Sequence, residues 1–307
     1  MKNNLFDSKM TVVSPLTGKD NVVLESQLSA SQIIEQYQKE FSVDVSSYFK
    51  GLDNIDIYQC QTSQLRFYYP FSLAGDGQFY ADLARVYKGY YSLWKWEHEK
   101  TIQHIKEGQK ILEIGCGNGY FLQKIKEKKA EGIGLDFNPE AVAYGKTQGI
   151  QIIDQTIGVH ATLHKEKYDM VCAFQLFEHV NEVGQFIKDS LTCLKKGGVF
   201  AIGVPNNDSP IFALDPYHTL NVPPHHMLLW DARSLAYLAT QYDLSIVDIS
   251  IQPSGAINRS MAYRLWLNKT LGNNILSSTT HILTRWLVKR LPVFPQGATV
   301  VAVFRKN

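Results

Sequence analysis

Two groups of residues in this sequence have types and spacings suited to chemistry. The first is Glu113-Ile-Gly-Cys-Gly-Asn-Gly119, with Asp136 following 17 residues after its last glycine. Residues without Cβ let the backbone approach a ligand closely. A carboxylate at that distance can accept hydrogen bonds from both hydroxyls of a ribose. The glycines fall in a GxGxG spacing, whereas a dinucleotide fingerprint wants GxGxxG. The second group is Asp215-Pro-Tyr-His218 and Asn221-Val-Pro-Pro-His-His-Met227. A histidine titrates near neutrality and can take the proton from a hydroxyl. His225 or His226 is the candidate base, with the choice between them open. Each histidine could instead serve as a structural hydrogen-bonding residue. A metal site built from His218, His225 and His226 is a third reading, but no CxxC or HExxH accompanies them, so no metal is assigned.

The elements that must position these groups alternate between strand and helix. Residues 110–114, 132–135, 150–153, 168–173, 198–204, 244–251 and 299–304 read as strands. Residues 120–129, 139–147, 181–195 and 232–241 read as helices, with Pro139 in a first turn. The alternation predicts an α/β fold with a doubly wound, mostly parallel sheet. Near-continuous apolar strands fit burial on both faces. Ligands of such sheets sit at the carboxyl ends of the strands, which is where the glycine-rich turn falls.

At this point the sequence resembles a known family. Leu112-Glu-Ile-Gly-Cys-Gly-Asn-Gly-Tyr-Phe-Leu122 and Gly134-Leu-Asp-Phe-Asn-Pro139 resemble motifs I and II of class I S-adenosylmethionine-dependent methyltransferases. Tyr168-Asp-Met-Val-Cys-Ala-Phe-Gln-Leu-Phe-Glu-His-Val180 resembles the segment after motif II in the LEHV branch. Leu194-Lys-Lys-Gly-Gly198 resembles its LkpGG turn, with Lys196 in place of Pro. The resemblance covers about 80–305. It implies a Rossmann-like, seven-stranded sheet whose last strand inserts antiparallel, and S-adenosylmethionine as cofactor. It further implies that Gly115 and Gly117 lie under the methionine part of the cofactor, in one loop with Cys116 and Gly119. Glu113 would orient that loop, Asp136 would hold the ribose and Phe137 would border the adenine. Relatives often carry an acid beyond a Thr or Ser after the third strand; here Thr156-Ile157 is followed by Gly158, which leaves a backbone contact from Ile157. Gln175 would face the methionine end. Glu178-His179 is usually architectural in relatives and stays outside the catalytic set.

Pro223-Pro-His-His226 with Trp230 resembles a PPHH subgroup associated with polysaccharide and natural-product biosynthesis. That implies transfer of a methyl group to a hydroxyl of a sugar or other small metabolite, which could be nucleotide-linked or lipid-linked. Competing readings are a cofactor-holding but inactive scaffold and a nicotinamide-dependent oxidoreductase. The glycine spacing and the missing Tyr-x-x-x-Lys dyad argue against the latter. Nucleic acid is not the expected acceptor, since no NPPY-type base-flipping motif is present.

Residues 1–78 read as a small accessory domain and 79–307 as the methyltransferase domain, with a helical insertion at about 254–292. Residues 79–105 read as helical and aromatic-rich, with Tyr90 and Tyr91 among the aromatics. The same subgroup often opens with a zinc knuckle. Here Ser14, Thr17 and Ser63 stand with Cys60 at the corresponding positions, and hydroxyls are poor zinc ligands beside thiolates. A degenerate zinc-ribbon-like fold held by packing is the expectation.

The 307 residues have ordinary apolar content and four cysteines without a CxxC pair. The first residues contain no apolar signal segment, and no run of about 18 apolar residues occurs. The cytoplasm is therefore the expected location. From Gln252 onward there are eight basic residues and no Asp or Glu, which leaves the rest of the chain net acidic. Spacings of three and four put Leu283, Trp286, Leu287 and Leu291 on one face of the insertion, away from Arg285, Lys289 and Arg290. A packed capping helix and a peripheral contact with an anionic surface are both compatible with that pattern.

Overall fold

The computed structural model describes residues 11–87, 94–272, 275–288 and 296–307. Tyr90, Tyr91, Lys289, Arg290 and Leu291 lie outside the described residues, as do the side chains of Arg285 and Leu287.

The chain opens with β1 (Val22–Ser29), α1 (Ala30–Phe41), β2 (Asn54–Cys60), β3 (Arg66–Tyr69) and α2 (Gly77–Val86). Ser29 caps α1 by accepting from the Gln32 N–H, and Ala30, Ile33 and Tyr37 bury one stripe of it. The expected helix over 79–105 is broken: α2 ends at Val86, and α3 (Trp96–Ile102) is separate.

Next come β4 (Lys110–Ile114), α4 (Tyr120–Ile125), β5 (Glu131–Leu135), α5 (Pro139–Thr147), β6 (Gln151–Ile153) and α6 (Ile157–Leu163). Then follow β7 (Tyr168–Phe174), α7 (Val183–Cys193), β8 (Leu194–Pro205), α8 (Pro210–Leu214), β9 (Leu228–Leu229), α9 (Ala232–Gln241) and β10 (Leu244–Pro253). The chain closes with α10 (Ala256–Leu271), α11 (Ile275–Val288) and β11 (Gln296–Lys306).

A seven-stranded sheet runs in the order β10-β11-β8-β7-β4-β5-β6. β4 pairs parallel with both β5 and β7, while β11 pairs antiparallel with β8 and β10. Chain order reverses at β4, so its carboxyl end is the switch point where such sheets bind ligands. Six of the seven β7 residues are buried, as a central strand covered on both faces requires.

A second sheet, β1-β2-β3-β9, recruits Leu228 and Leu229 from the far part of the chain. One apolar core runs through both regions, from Leu16 and Tyr37 to Phe200 and Trp230. Trp230 is fully buried, stacks on Phe177 at 4.6 Å and donates its indole N–H to the Phe177 carbonyl. Such a stack adds about 0.5–1.5 kcal/mol beyond area burial.

The insertion is the helical pair α10 and α11, which pack on each other. The packed-cap reading fails for the described part of α11's apolar face: Leu283 is 79% and Trp286 58% exposed. Among the described residues no helix is long and apolar enough to cross a membrane.

Candidate functional site

The loop after β4 turns three times through left-handed backbone, at Gly115, Gly117 and Gly119. A Cβ on Gly115 would come within 2.9 Å of Leu176. Gly119 then caps α4. On the next strand, a Cβ on Gly134 would fall 2.3 Å from the Cys116 sulfur, so β5 and the glycine loop approach this closely only because that residue is glycine.

Asp136 ends β5 and is tied back to this loop. Its Oδ2 accepts the Gly117 N–H at 2.7 Å, and its Oδ1 accepts the Asn138 N–H at 2.9 Å. Burial raises its pKa against these hydrogen bonds. Phe137 beside it is 63% exposed and offers a free aromatic face. Glu113 is buried, and its Oε2 has no hydrogen-bond partner. Burial pushes that carboxyl well above the usual range.

The loop forms one wall of a cleft of about 540 Å³. Glu113, Gly115, Cys116, Gly117 and Gln175 line it. Gly119, Asp136, Phe137 and Ile157 are not in that wall; Asp136 joins it through the Gly117 N–H. Ile157 is buried at the start of α6, whose cap is Thr156. Gln175 has a left-handed backbone just past β7, an uncommon conformation for a residue with a side chain. Its Nε2 donates to the buried Glu97 at 3.0 Å.

Another wall of the cleft holds the histidines. His225 and His226 both line the cleft and are nearly buried. The His225 Nδ1 faces the Leu220 carbonyl at 2.9 Å, and the His226 Nδ1 faces Asn221 Oδ1 at 3.2 Å. A nitrogen facing a carbonyl oxygen carries the proton, so Nε2 is the basic atom of each neutral ring. Burial lowers His225 to about 3 and sends His226 well below its ordinary value.

Two helices and a strand of the N-terminal region grip this loop. Tyr37, Tyr68 and Tyr80 donate their hydroxyls to the carbonyls of Val222, Asn221 and His225. The Gly75 N–H reaches the Pro224 carbonyl, and the Tyr68 N–H reaches Met227. The histidines are therefore held by the N-terminal region as much as by the large sheet.

The structure adds two residues that the sequence left aside. Glu178 and His179 line the cleft beside His225 and His226. Glu178 Oε1 lies 3.9 Å from His179 Nε2 and 3.8 Å from His226 Nε2. His218 also lines the cleft but stands outside the cluster that His179, His225 and His226 form. It packs edge-on to Phe212. A signal existed in the sequence, since the Glu-His pair directly follows a strand end, but nothing local showed that it faces the histidine loop.

Ser14, Thr17 and Ser63 gather around Cys60. The Cys60 sulfur accepts the Ser63 N–H at 3.5 Å and lies 3.7 Å from the Thr17 hydroxyl. Burial opposes the thiolate, but hydrogen bonds from Ser14, Ser63 and Thr17 bring Cys60 to about 7.

Comparison with known proteins places this architecture. A family model described as a methyltransferase domain matches residues 90–249, about half of the chain. The chain is 31% identical over 137 residues to a probable S-adenosylmethionine-dependent methyltransferase of Mycolicibacterium smegmatis, a match covering 41% of this chain and 52% of that protein. It is 32% identical over 97 residues to the ubiquinone biosynthesis O-methyltransferase of Citrobacter koseri, covering 30% of this chain and 40% of that one. The chain thus spans about half the length, or less, of these curated relatives. Among solved structures, a SAM-dependent methyltransferase from Archaeoglobus fulgidus superimposes with a TM-score of 0.54 at 18% identity, covering 75% of this chain and 100% of that one, a likeness of fold.

Proposed function

This chain belongs to the methyltransferase-domain family, and we propose that it transfers a methyl group from S-adenosylmethionine to a hydroxyl of a small acceptor. The observation that carries this reading is one cleft with two different walls. One is the glycine loop tied to Asp136; the other is the pair His225 and His226.

The residues of the first wall, and those beside it, fit the cofactor. The left-handed glycines leave room that a Cβ at 115 would fill, and the Glu113 Oε2 is an orphaned acceptor beside it. Asp136 keeps lone pairs for a ribose, Phe137 offers a face to an adenine, and Ile157 offers backbone to its edge. Gln175 and Glu97 stand at the methionine end. When bound, S-adenosylmethionine supplies an electrophilic methyl group on a sulfonium.

On the other wall, His225 and His226 engage the acceptor hydroxyl and take part in removing its proton. Alignment of the oxygen with the methyl carbon is the protein's main task in such a displacement. Pro223-Pro-His-His226 and Glu178-His-Val180 support assignment to the LEHV/PPHH subgroup, and with it a sugar hydroxyl on a nucleotide-linked or lipid-linked carrier. Four unpaired cysteines suit a reducing compartment such as the cytoplasm.

The α10–α11 pair supports a peripheral contact with an anionic surface. It grows from the strand ends that carry Gln252, Ala298 and Thr299 into the cleft wall. It is rich in basic residues, has no acid, and exposes Trp266, Leu283 and Trp286.

Methyl transfer is tested with radiolabelled cofactor and a panel of hydroxylated sugars and phenols. Transfer of label to oxygen supports the reading. Failure to bind S-adenosylhomocysteine would overturn it, and binding with no transfer to any hydroxyl would favour the inactive scaffold.

A further inference from the structure

We propose that His179, His225 and His226, together with Glu178, form a binding site for a first-row divalent metal ion of the zinc class. This rests on the reading of the cleft as the acceptor site and assigns its back wall a ligand.

The first observation is convergence. The three histidines each offer a ring nitrogen, and these nitrogens all lie within 4.8 Å of one another. They come from two places, 46 residues apart, brought together by the Trp230–Phe177 stack and the tyrosine grip on the loop.

The second observation is proton placement. His179 presents its Nδ1 to the His225 carbonyl, His225 to the Leu220 carbonyl, and His226 to Asn221 Oδ1. The Asn221 orientation is set in turn by its Nδ2, which donates to Asn207 at 2.8 Å. In His179 and His226 the outer nitrogen therefore carries the proton, which leaves Nε2 of these two rings as the lone-pair donor. Metal-bound histidines show this arrangement, because an outer hydrogen bond fixes tautomer and ring orientation.

The third observation is Glu178. It is 1% exposed, and neither carboxylate oxygen has a hydrogen-bond partner. Its Oε1 stands 3.9 and 3.8 Å from the Nε2 atoms of His179 and His226. Neither distance allows a good hydrogen bond, whichever partner holds the proton. A buried carboxylate without a donor is costly. A cation bonded to His179 and His226 would also meet this carboxylate.

The donor set names the class. Imidazole with one carboxylate suits zinc, iron, cobalt or manganese and is a poor cage for calcium or magnesium. Bonds of about 2.1 Å imply ligand separations near ~3.4 Å in a tetrahedron, so side-chain rotations of about an ångström close the site. Because the cluster lines the cleft, the ion would coordinate an acceptor oxygen, fixing its position and lowering its affinity for its proton, which passes to water in the cleft; His225 and His226 then take part in proton removal through the ion they hold.

The test uses the full chain stripped with a chelator and then dialysed against zinc or cobalt. One ion bound per chain, with a cobalt absorption band in the visible, is the expected result. Glu178→Gln and His226→Ala should each weaken binding at least tenfold, while Cys60→Ser leaves it unchanged. S-adenosylhomocysteine binding, retained in the variants, shows that they fold and keeps the cofactor reading separate. Absence of stoichiometric binding, binding that survives both Glu178→Gln and His226→Ala, or binding lost in Cys60→Ser would each overturn the proposal.

Discussion

Asp136 Oδ2 accepts the backbone N–H of Gly117 at 2.7 Å, joining two strand ends that lie 19 residues apart. The acid therefore shapes the glycine loop as well as presenting lone pairs to a ligand. Asp136→Ala should lose both functions. S-adenosylhomocysteine at about 100-fold over its dissociation constant stabilises a binding protein by about 2.7 kcal/mol. Wild type should show that shift in melting temperature and Asp136→Ala almost none. An equal shift in the variant would remove Asp136 from the site.

His225→Ala and His226→Ala test the histidine wall of the cleft. At least one should lower turnover by roughly 10²–10⁴, with cofactor affinity intact by calorimetry. Full turnover in both would make the pair structural.

Gly134 carries a steric prediction. A Cβ there meets the Cys116 sulfur at 2.3 Å and Leu122 at 2.9 Å, both in the buried core. Gly134→Ala should destabilise by about 1–3 kcal/mol in denaturant melts. Adding Cys116→Ala removes the sulfur and should recover part of the loss. If Gly134→Ala melts like wild type, the approach of β5 to the glycine loop is looser than the structure has it.

The buried cluster makes a pH prediction for the metal-free chain. Burial raises Glu178 from 4.5 to about 8, so its contribution is full below about 4.5 and is lost as pH rises towards 8. Burial lowers His225 from 6.5 to about 3 and His179 to about 4. Their contributions are full above about 6.5 and are lost as pH falls through the mildly acid range. Relative to wild type, Glu178→Gln should therefore gain stability between pH 5 and 8. Parallel melting profiles of the two proteins across that range would contradict this placement of the carboxyl.

The helical pair predicts salt-sensitive association with anionic vesicles. Each basic residue near such a surface contributes about 1 kcal/mol. Trp266→Ser with Trp286→Ser, or Arg264 and Lys269 reversed to Glu, should reduce cosedimentation. No cosedimentation of wild type at low salt would leave the exposed tryptophans without this role.

Much of this protein is written locally in its sequence. The glycine loop, Asp136 and the alternation of strands with helices depend on turn geometry and short-range periodicity, and the structure places them as the pattern predicts. The boundaries of α5 and α9 follow from Pro139 and from the Asp231 cap. The short helix α6 was not legible, because seven residues give too little periodicity to read. The meeting of Glu178 and His179 with His225 and His226 could only come from tertiary structure. It depends on Trp230 stacking on Phe177 and on tyrosines from the first 80 residues holding a loop near 225. The exposed face of α11 is likewise a tertiary outcome. Its spacing of apolar residues is that of a packed helix, but spacing specifies only which residues share a face. Whether that face meets the core or the solvent is decided by how α11 packs on α10.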